Sequence, residues 1–440
     1  MRILLSTWGS LGDVNPYIAL ASELQRRGHD VTIASSEFYR ERIGSEGIHF
    51  APVRPDLSGL IADAEIRKRI MDLRSGTEYL VTKLLVPNIH ESYEDLLAAA
   101  EPADLLISHS VTYALPIVAE KLRKPWLSVA LAPLAFFSSY EPPVTPLAPW
   151  INRLGILGRW PYGLLLKAIN SETRQWAEPI VQLRNRVGLA GPAENPILRG
   201  MFSPHGTLAL FSPLLASPQP DWPNNTVITG FTWVDRRQAE DHRLDQLDDF
   251  LQDGPPPVVF TLGSAAVMDP GSYFQEAMKA TKLLGTRSIL LVGPMSQPGM
   301  DNVDRKSTLV LDYAPFSRVM PRASIIVHQG GIGTLGQAMR SANPMLVVPF
   351  SHDQPDNAYR AARLGIARVQ NRQNFEARAV ARQLRALDSP KYRERARTVG
   401  RQVEQEDGAR VAADYIDHFG STGTLKRFET AERSKATSSS

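Results

Sequence analysis

The first thirty-five residues, MRILLSTWGSLGDVNPYIALASELQRRGHDVTIAS (Met1–Ser35), read as a single strand–turn–helix–strand unit. Ile3–Ser6 is a short apolar strand, and Gly9 and Gly12 punctuate the turn after it. Tyr17, Leu20, Ala21 and Leu24 then recur at the i, i+3, i+4, i+7 spacing of a helix with one apolar face. Asn15 and Pro16 stand where an N-cap and a first-turn proline are favoured, and Gly28 stops the helix before Val31–Ser35 resumes as a strand. Two neighbouring strands joined through a helix run parallel, so the chain opens as a βαβ unit.

The alternation continues with strands at Asp104–Ser108 and Trp126–Ala130 and helical stretches at Ile89–Ala100 and Ala114–Leu122. This pattern implies a doubly wound parallel sheet. Residues 131–170 break the rhythm: Pro133, Pro142, Pro143, Pro146 and Pro149 interleave with Phe136, Phe137, Tyr140, Trp150, Trp160 and Tyr162. Such a segment is either a packed connection or an apolar binding surface. After the irregular stretch Ser217–Asn225 the pattern restarts, with strands at Val258–Leu262, Ser288–Val292, Leu309–Leu311, Ser324–His328 and Met345–Pro349, and helices from about Pro270 and from Gly333. The expected architecture is α/β, two Rossmann-like doubly wound domains facing a central cleft: residues 1–222, residues 223–418, and a polar flexible tail at 419–440.

Charge and composition narrow the partners. Over 440 residues, 49 Lys+Arg against 46 Asp+Glu leave no basic stripe for a polyanion, so nucleic acid is not expected. Cysteine is absent, which removes disulfides, thiolate metal sites and cysteine nucleophiles. The N-terminal apolar run is too short for a signal peptide, and the expected location is cytoplasmic.

The densest chemical motif is His328-Gln-Gly330-Gly331-Ile-Gly333-Thr334, placed where a buried strand passes into a helix. Glycines allow close backbone approach, and the free N–H groups at a helix start suit a phosphate or diphosphate. His328 and the Thr334 hydroxyl could add side-chain donors. Asp353 and Gln354 follow the next strand and suit vicinal sugar hydroxyls, whereas Asp356 and Asn357 read better as an Asx turn and a helix cap. Ser264 ends another strand as a further donor, and Tyr313 could stack on a base whose edge the Ala314 backbone reads. In the N-terminal half, Gly9-Ser-Leu-Gly12-Asp13 has G-x-x-G spacing, which disfavours a nicotinamide dehydrogenase. Asp13 is either a helix cap or a general base turned to the cleft; with Asn15 expected as the cap, the base is favoured.

Four ordered motifs carry a resemblance over nearly the whole chain to about residue 418: Gly9-Ser-x-Gly-Asp13-Val-x-Pro16, Tyr313-Ala-Pro315, His328-x-Gly-Gly-x-Gly-Thr334 and His352-Asp-Gln-x-Asp-Asn357. Together they resemble inverting nucleotide-sugar glycosyltransferases of the GT-B fold, family 1, in the branch with sterol glucosyltransferases, glycopeptide-antibiotic glycosyltransferases and the rhamnolipid rhamnosyltransferase. The resemblance implies hexose transfer from a UDP- or dTDP-sugar to a hydroxyl of a small apolar acceptor such as a sterol, a phenolic or polyketide compound, or a hydroxy-lipid. It implies Asp13 as base, where other members have His. His328, Gly330, Gly331, Gly333, Thr334 and Ser264 would form the diphosphate cradle, Tyr313 would stack on the pyrimidine, and Asp353 with Gln354 would hold the sugar. Trp8, Phe136 and Phe137 are the expected acceptor-side aromatics. Gln337 replaces the Glu with which plant relatives grip the ribose, leaving UDP and dTDP both open.

No Asp-x-Asp motif is present, so leaving-group charge falls to the helix terminus and oriented donors, and neither a metal nor a cofactor is expected. Nothing pairs with Asp13 as a hydrolase would require. The expected partners are a nucleotide sugar and the acceptor, with peripheral membrane contact. The alternatives are a nucleotide-sugar epimerase of the same fold and a non-catalytic nucleotide-binding partner protein.

Overall fold

The computed structural model describes residues 1–145, 160–234, 242–264, 266–293 and 303–423. Its first sheet contains β1 (Arg2–Ser6), β2 (Asp30–Ser35), β3 (His49–Pro52), β4 (Leu105–His109), β5 (Trp126–Ala130), β6 (Thr207–Ala209) and β7 (Thr226–Ile228), in the order β3-β2-β1-β4-β5-β6-β7. The second contains β8 (Val258–Thr261), β9 (Ser288–Leu291), β10 (Thr308–Leu311), β11 (Ile325–His328), β12 (Met345–Val347) and β13 (Ala367–Val369), in the order β10-β9-β8-β11-β12-β13. Every pairing is parallel. β1 lies between β2 and β4, with Leu4 opposite both Thr32 and Leu106, and β8 lies between β9 and β11. Strand order reverses at β1/β4 and at β8/β11, and open α/β sheets bind ligands beyond the carboxyl ends of strands at such points. The two domains are therefore the expected doubly wound units, each with its own switch point.

Two boundaries differ from the sequence reading. β7 completes the first sheet, so that sheet extends beyond residue 222, to Ile228. The Gly408–Thr422 helix, numbered with the second domain, packs on the first: Ala412, Ala413, Ile416 and Phe419 belong to the N-terminal core. Residues 419–422 finish this helix, and residues 424–440 of the expected tail lie outside the described residues. The return crossing is tight. A Cβ at Gly408 would sit 2.2 Å from the Gly230 carbonyl oxygen, a position only glycine can occupy without displacement. Glu406 beside it accepts from Ser212 Oγ at 2.5 Å and from the Phe231 N–H at 3.0 Å. Arg27 and His29 then hold Asp417 at 2.8 and 2.6 Å.

The first helix also differs. It runs Leu11–Arg26, capped by Ser10 and not by Asn15, and Pro16 lies inside it. Ser10 and Asp13 form a capping box, the Ser-x-x-Asp signature overriding the Asn-Pro pair as the start signal. Among the described residues no helix is long and apolar enough to cross a membrane.

Because Ile416 is fully buried in the N-terminal core, Ile416→Ala should cost about 2–5 kcal/mol. Hydrogen exchange checks the placement: protection is expected to fall across β1 and β2, with β8 and β11 little changed.

Candidate active site

The carboxyl ends of both switch points open on one cavity of about 1390 Å³ between the domains. From the first sheet it receives the turn after β1. Thr7 Oγ1 donates to the Asp13 carbonyl at 3.0 Å, Tyr39 Oη to the Gly9 carbonyl at 2.9 Å, and Trp8 Nε1 to the Pro55 carbonyl at 2.7 Å. These bonds fix the turn that carries Asp13. Asp13 Oδ2 accepts from the Ser10 N–H at 2.7 Å and from Ser10 Oγ at 3.1 Å. Capping and facing the cleft are therefore not alternatives: one carboxylate oxygen caps the helix, while the side chain remains 33% exposed on the cavity wall.

Opposite stand the elements of the second sheet. Ser264, Tyr313, Gly331, Gly333, Thr334, Gln337, Asp353 and Gln354 all line the cavity. The Ile332–Arg340 helix begins at this wall, so its unpaired N–H groups and positive end face a ligand. Gly333 has open space where a Cβ would stand, and the Thr334 hydroxyl lies one residue further on.

Three expected donor contacts are corrected by burial. His328 is fully buried: its Nδ1 accepts from the Gly330 N–H at 3.1 Å, and its Nε2 lies 3.4 Å from the Met345 sulfur. Burial pushes this imidazole down to about 3. It is a neutral support of the loop, with both ring nitrogens turned away from a phosphate. Gly330, at φ +93°, lies behind the wall, where a Cβ would meet the Val347 side chain at 2.8 Å. Ala314 is also fully buried and outside the wall that Tyr313 lines. On the acceptor side Trp8 and Phe137 line the cavity, but Phe136 is core, stacked 4.1 Å from Trp222 and 5.5 Å from Phe202.

Asp356 and Asn357 are not turn and cap residues. Asp356 is buried, pairs with Arg360 Nε at 2.7 Å and accepts the Val144 N–H at 2.9 Å. Glu141 joins the same cluster, 3.1 Å from Arg360 and 2.5 Å from Arg363, so residues 141–144 are strapped to the second domain. Asn357 Nδ2 donates to Asp353 Oδ2 at 2.7 Å and to the Gly330 carbonyl at 2.9 Å, tying the sugar-side carboxylate to the glycine turn. Burial, with the charge of Asp13 adding to it, pushes the Asp353 carboxyl up to about 7. Gln354 spends its carbonyl oxygen on the Phe350 and Ser351 N–H groups, at 2.8 and 3.2 Å.

Sequence reasoning missed His109, Gln329 and His352, all on the cavity wall. His109 ends β4, and the switch-point rule applied to β1/β4 would have singled it out. His352, at φ +56°, accepts or donates at Nδ1 to Thr77 Oγ1 across the cleft at 3.0 Å, a contact no local pattern announces. The first domain also supplies an apolar wall that includes Leu57, Ile70, Met71 and Val81.

Comparison with known proteins agrees with this geometry. Residues 3–110 match the glycosyltransferase family 28 N-terminal domain and residues 275–413 its C-terminal domain. An O-mycaminosyltylonolide 6-deoxyallosyltransferase from Streptomyces fradiae is 30% identical, covering 96% of this chain and 99% of that one. Glycosyltransferase GtfE of Amycolatopsis orientalis is 28% identical over 97% of this chain and 99% of its own. A sterol 3-beta-glucosyltransferase from Aspergillus terreus is 28% identical over 94% of this chain, which spans 30% of that longer protein. Among solved structures, the calicheamicin glycosyltransferase CalG4 superposes with a TM-score of 0.69 at 16% identity, covering 96% of this chain and 98% of that one. At that identity the likeness speaks for the fold, which is the GT-B arrangement. The relatives are those of the antibiotic and sterol branch named from the motifs, and the chain belongs to glycosyltransferase family 28.

Proposed function

We propose that this glycosyltransferase is inverting and metal-independent, and that it moves a hexose or deoxyhexose from a dTDP- or UDP-sugar to a hydroxyl of an apolar acceptor. The observation that carries the reading is the placement of Asp13 on one wall of the cavity that the Ile332–Arg340 helix start lines from the other. In this mechanism the acceptor O–H bond breaks, its proton passes to Asp13, and the oxygen attacks C1 of the sugar. The C1–O bond to the diphosphate breaks with its electron pair. Attack from the Asp13 side and departure toward the helix start lie on opposite faces of C1, which inverts the centre.

The leaving diphosphate meets backbone N–H groups, the Thr334 hydroxyl and Ser264, which stabilise developing charge without proton transfer. In this mechanism the charge is held by the dipoles of the helix start. On the acceptor side, Leu131, Leu134, Phe137, Leu164, Ile169 and Trp176 make the chamber apolar, a surface suited to a macrolide, polyketide or sterol. The tylonolide-directed relative and the solved spinosyn rhamnosyltransferase complexed with thymidine diphosphate support this class of acceptor and donor. Peripheral membrane contact, if the acceptor is lipid-borne, would bring it to this same chamber.

Incubation with dTDP-rhamnose or UDP-glucose and a panel of macrolide aglycones, sterols and phenols tests the reading. Asp13→Asn keeps a carbonyl oxygen for the Ser10 cap but should lower kcat by about 10²–10⁴ with little change in donor KM. Undiminished turnover would reject Asp13 as base.

Gln337 is neutral on the donor wall and imposes no buried carboxylate on a deoxyribose. Calorimetry should find dTDP and UDP binding within about tenfold of each other, and Gln337→Glu should favour UDP by about 1–2 kcal/mol, the worth of a charged hydrogen bond.

Asp353 has the opposite signature from an ordinary paired carboxylate. Its folded value is raised to about 7, so it costs no stability below the unfolded carboxylate range, costs progressively more as pH rises from there to about 7, and levels off above. Asp353→Asn should therefore equal wild type in thermal stability at pH 4 and exceed it at pH 8, by about 2 kcal/mol once the wetted cavity edge is allowed for. The same variant should lose sugar transfer.

A further inference from the structure

Beyond the proton acceptor itself, the first domain holds a buried imidazole against Asp13. His109 Nε2 lies 3.9 Å from Asp13 Oδ1, the oxygen not committed to the Ser10 cap. Its Nδ1 is buried with no hydrogen-bond partner, and its ring meets Tyr17 edge-on with centroids 5.8 Å apart. Burial lowers its proton affinity while the charge of Asp13 and the Trp8 carbonyl raise it. A neutral imidazole in this setting is favoured with its proton on Nε2, because a lone pair facing a carboxylate is repelled.

We propose that His109 is a positioning residue for the base: its Nε2, 3.9 Å from Asp13 Oδ1, closes to a hydrogen bond when substrates fill the cavity, while Ser10 holds Oδ2, so the carboxylate is fixed from both ends as it receives the acceptor proton. The inference rests on the reading of Asp13 as base. It adds no new chemical step. The proton still moves from the acceptor oxygen to Asp13, and His109 neither gives up nor takes a proton. Other titratable groups near the pair are Tyr17, from the Leu11–Arg26 helix, Tyr39, after β2, and His352 and Asp353, across the cavity; the charge of Asp13 acts on all four.

The first test needs no turnover. In the full chain labelled with ¹⁵N-histidine, the His109 imidazole is assigned by its loss in His109→Phe and followed against pH in wild type and in Asp13→Asn. His109 is expected to titrate about one pH unit higher in wild type, the effect of an opposite charge within this distance. Superimposable curves, whether flat or titrating, overturn the pairing. A shifted curve in a protein that transfers no sugar would keep the pairing and reject the proposed reaction, so the two failures are distinct.

The second test is kinetic. His109→Phe should lower kcat by about 10–100-fold, the worth of one hydrogen bond to a charged group, with donor KM unchanged. His109→Gln, which retains an N–H, should recover part of the rate. A kcat within about twofold of wild type overturns the proposal, and so does a loss of rate that His109→Gln does not recover, since that is what lost packing against Tyr17 would give.

Discussion

The active site depends on the return of the chain from the second domain to the first. Two Rossmann-like units joined by a single linker could adopt many relative orientations, and their switch points would face each other only some of the time. Here the Gly408–Thr422 helix crosses back and buries Ile416 and Phe419 in the core built on β1 and β2. The crossing requires glycine against the Gly230 carbonyl, and Glu406 locks it with two hydrogen bonds. Glu141, Arg360 and Asp356 make a second strap at the far side of the cleft. With both in place, a carboxylate on one domain and a helix start on the other are held across a single cavity.

The walls solve opposite electrostatic problems. In the proposed reaction the second domain receives an anion with backbone N–H groups at a helix start, which need little reorganisation as charge develops. The first domain would keep a carboxylate oriented yet able to take a proton, and Asp13 has a cap on one oxygen and an imidazole near the other. Both use the same local device, the orphaned donors of a helix N-terminus. In the Ile332–Arg340 helix they are offered to the ligand; in the Leu11–Arg26 helix Ser10 turns its own N–H and hydroxyl to the base.

What the sequence made legible was whatever is encoded over a few adjacent residues. The strands β1, β2, β4, β5, β8, β9 and β11 are apolar runs bounded by turn signals, and the glycines of the 328–334 motif mark a strand-to-helix turn by themselves. β6, β7 and β13 span three residues each, too short for periodicity, and exist because neighbouring strands supply their partners. The helix start was misread because Asn-Pro and Ser-x-x-Asp are both valid start signals; the second satisfies two groups at once. Side-chain direction was the other limit. His328 reads as a ligand because of its motif, but which way its ring turns is decided by Met345, seventeen residues away on the adjacent strand.

The neutral state of His328 bears on how the donor wall works. An imidazolium at the base of the cradle would bind diphosphate tightly before and after reaction alike, which strengthens ground-state binding without lowering the barrier. Full burial removes that charge, and the wall keeps dipoles and hydroxyls whose interaction grows as the C1–O bond breaks. Asp353 would carry the complementary cost under the proposed reading: a carboxyl pushed up to about 7 becomes favourable as an anion when sugar hydroxyls donate to it. The stability lost there would then be returned on binding a hydroxylated ligand, while the glycine turn stays uncharged.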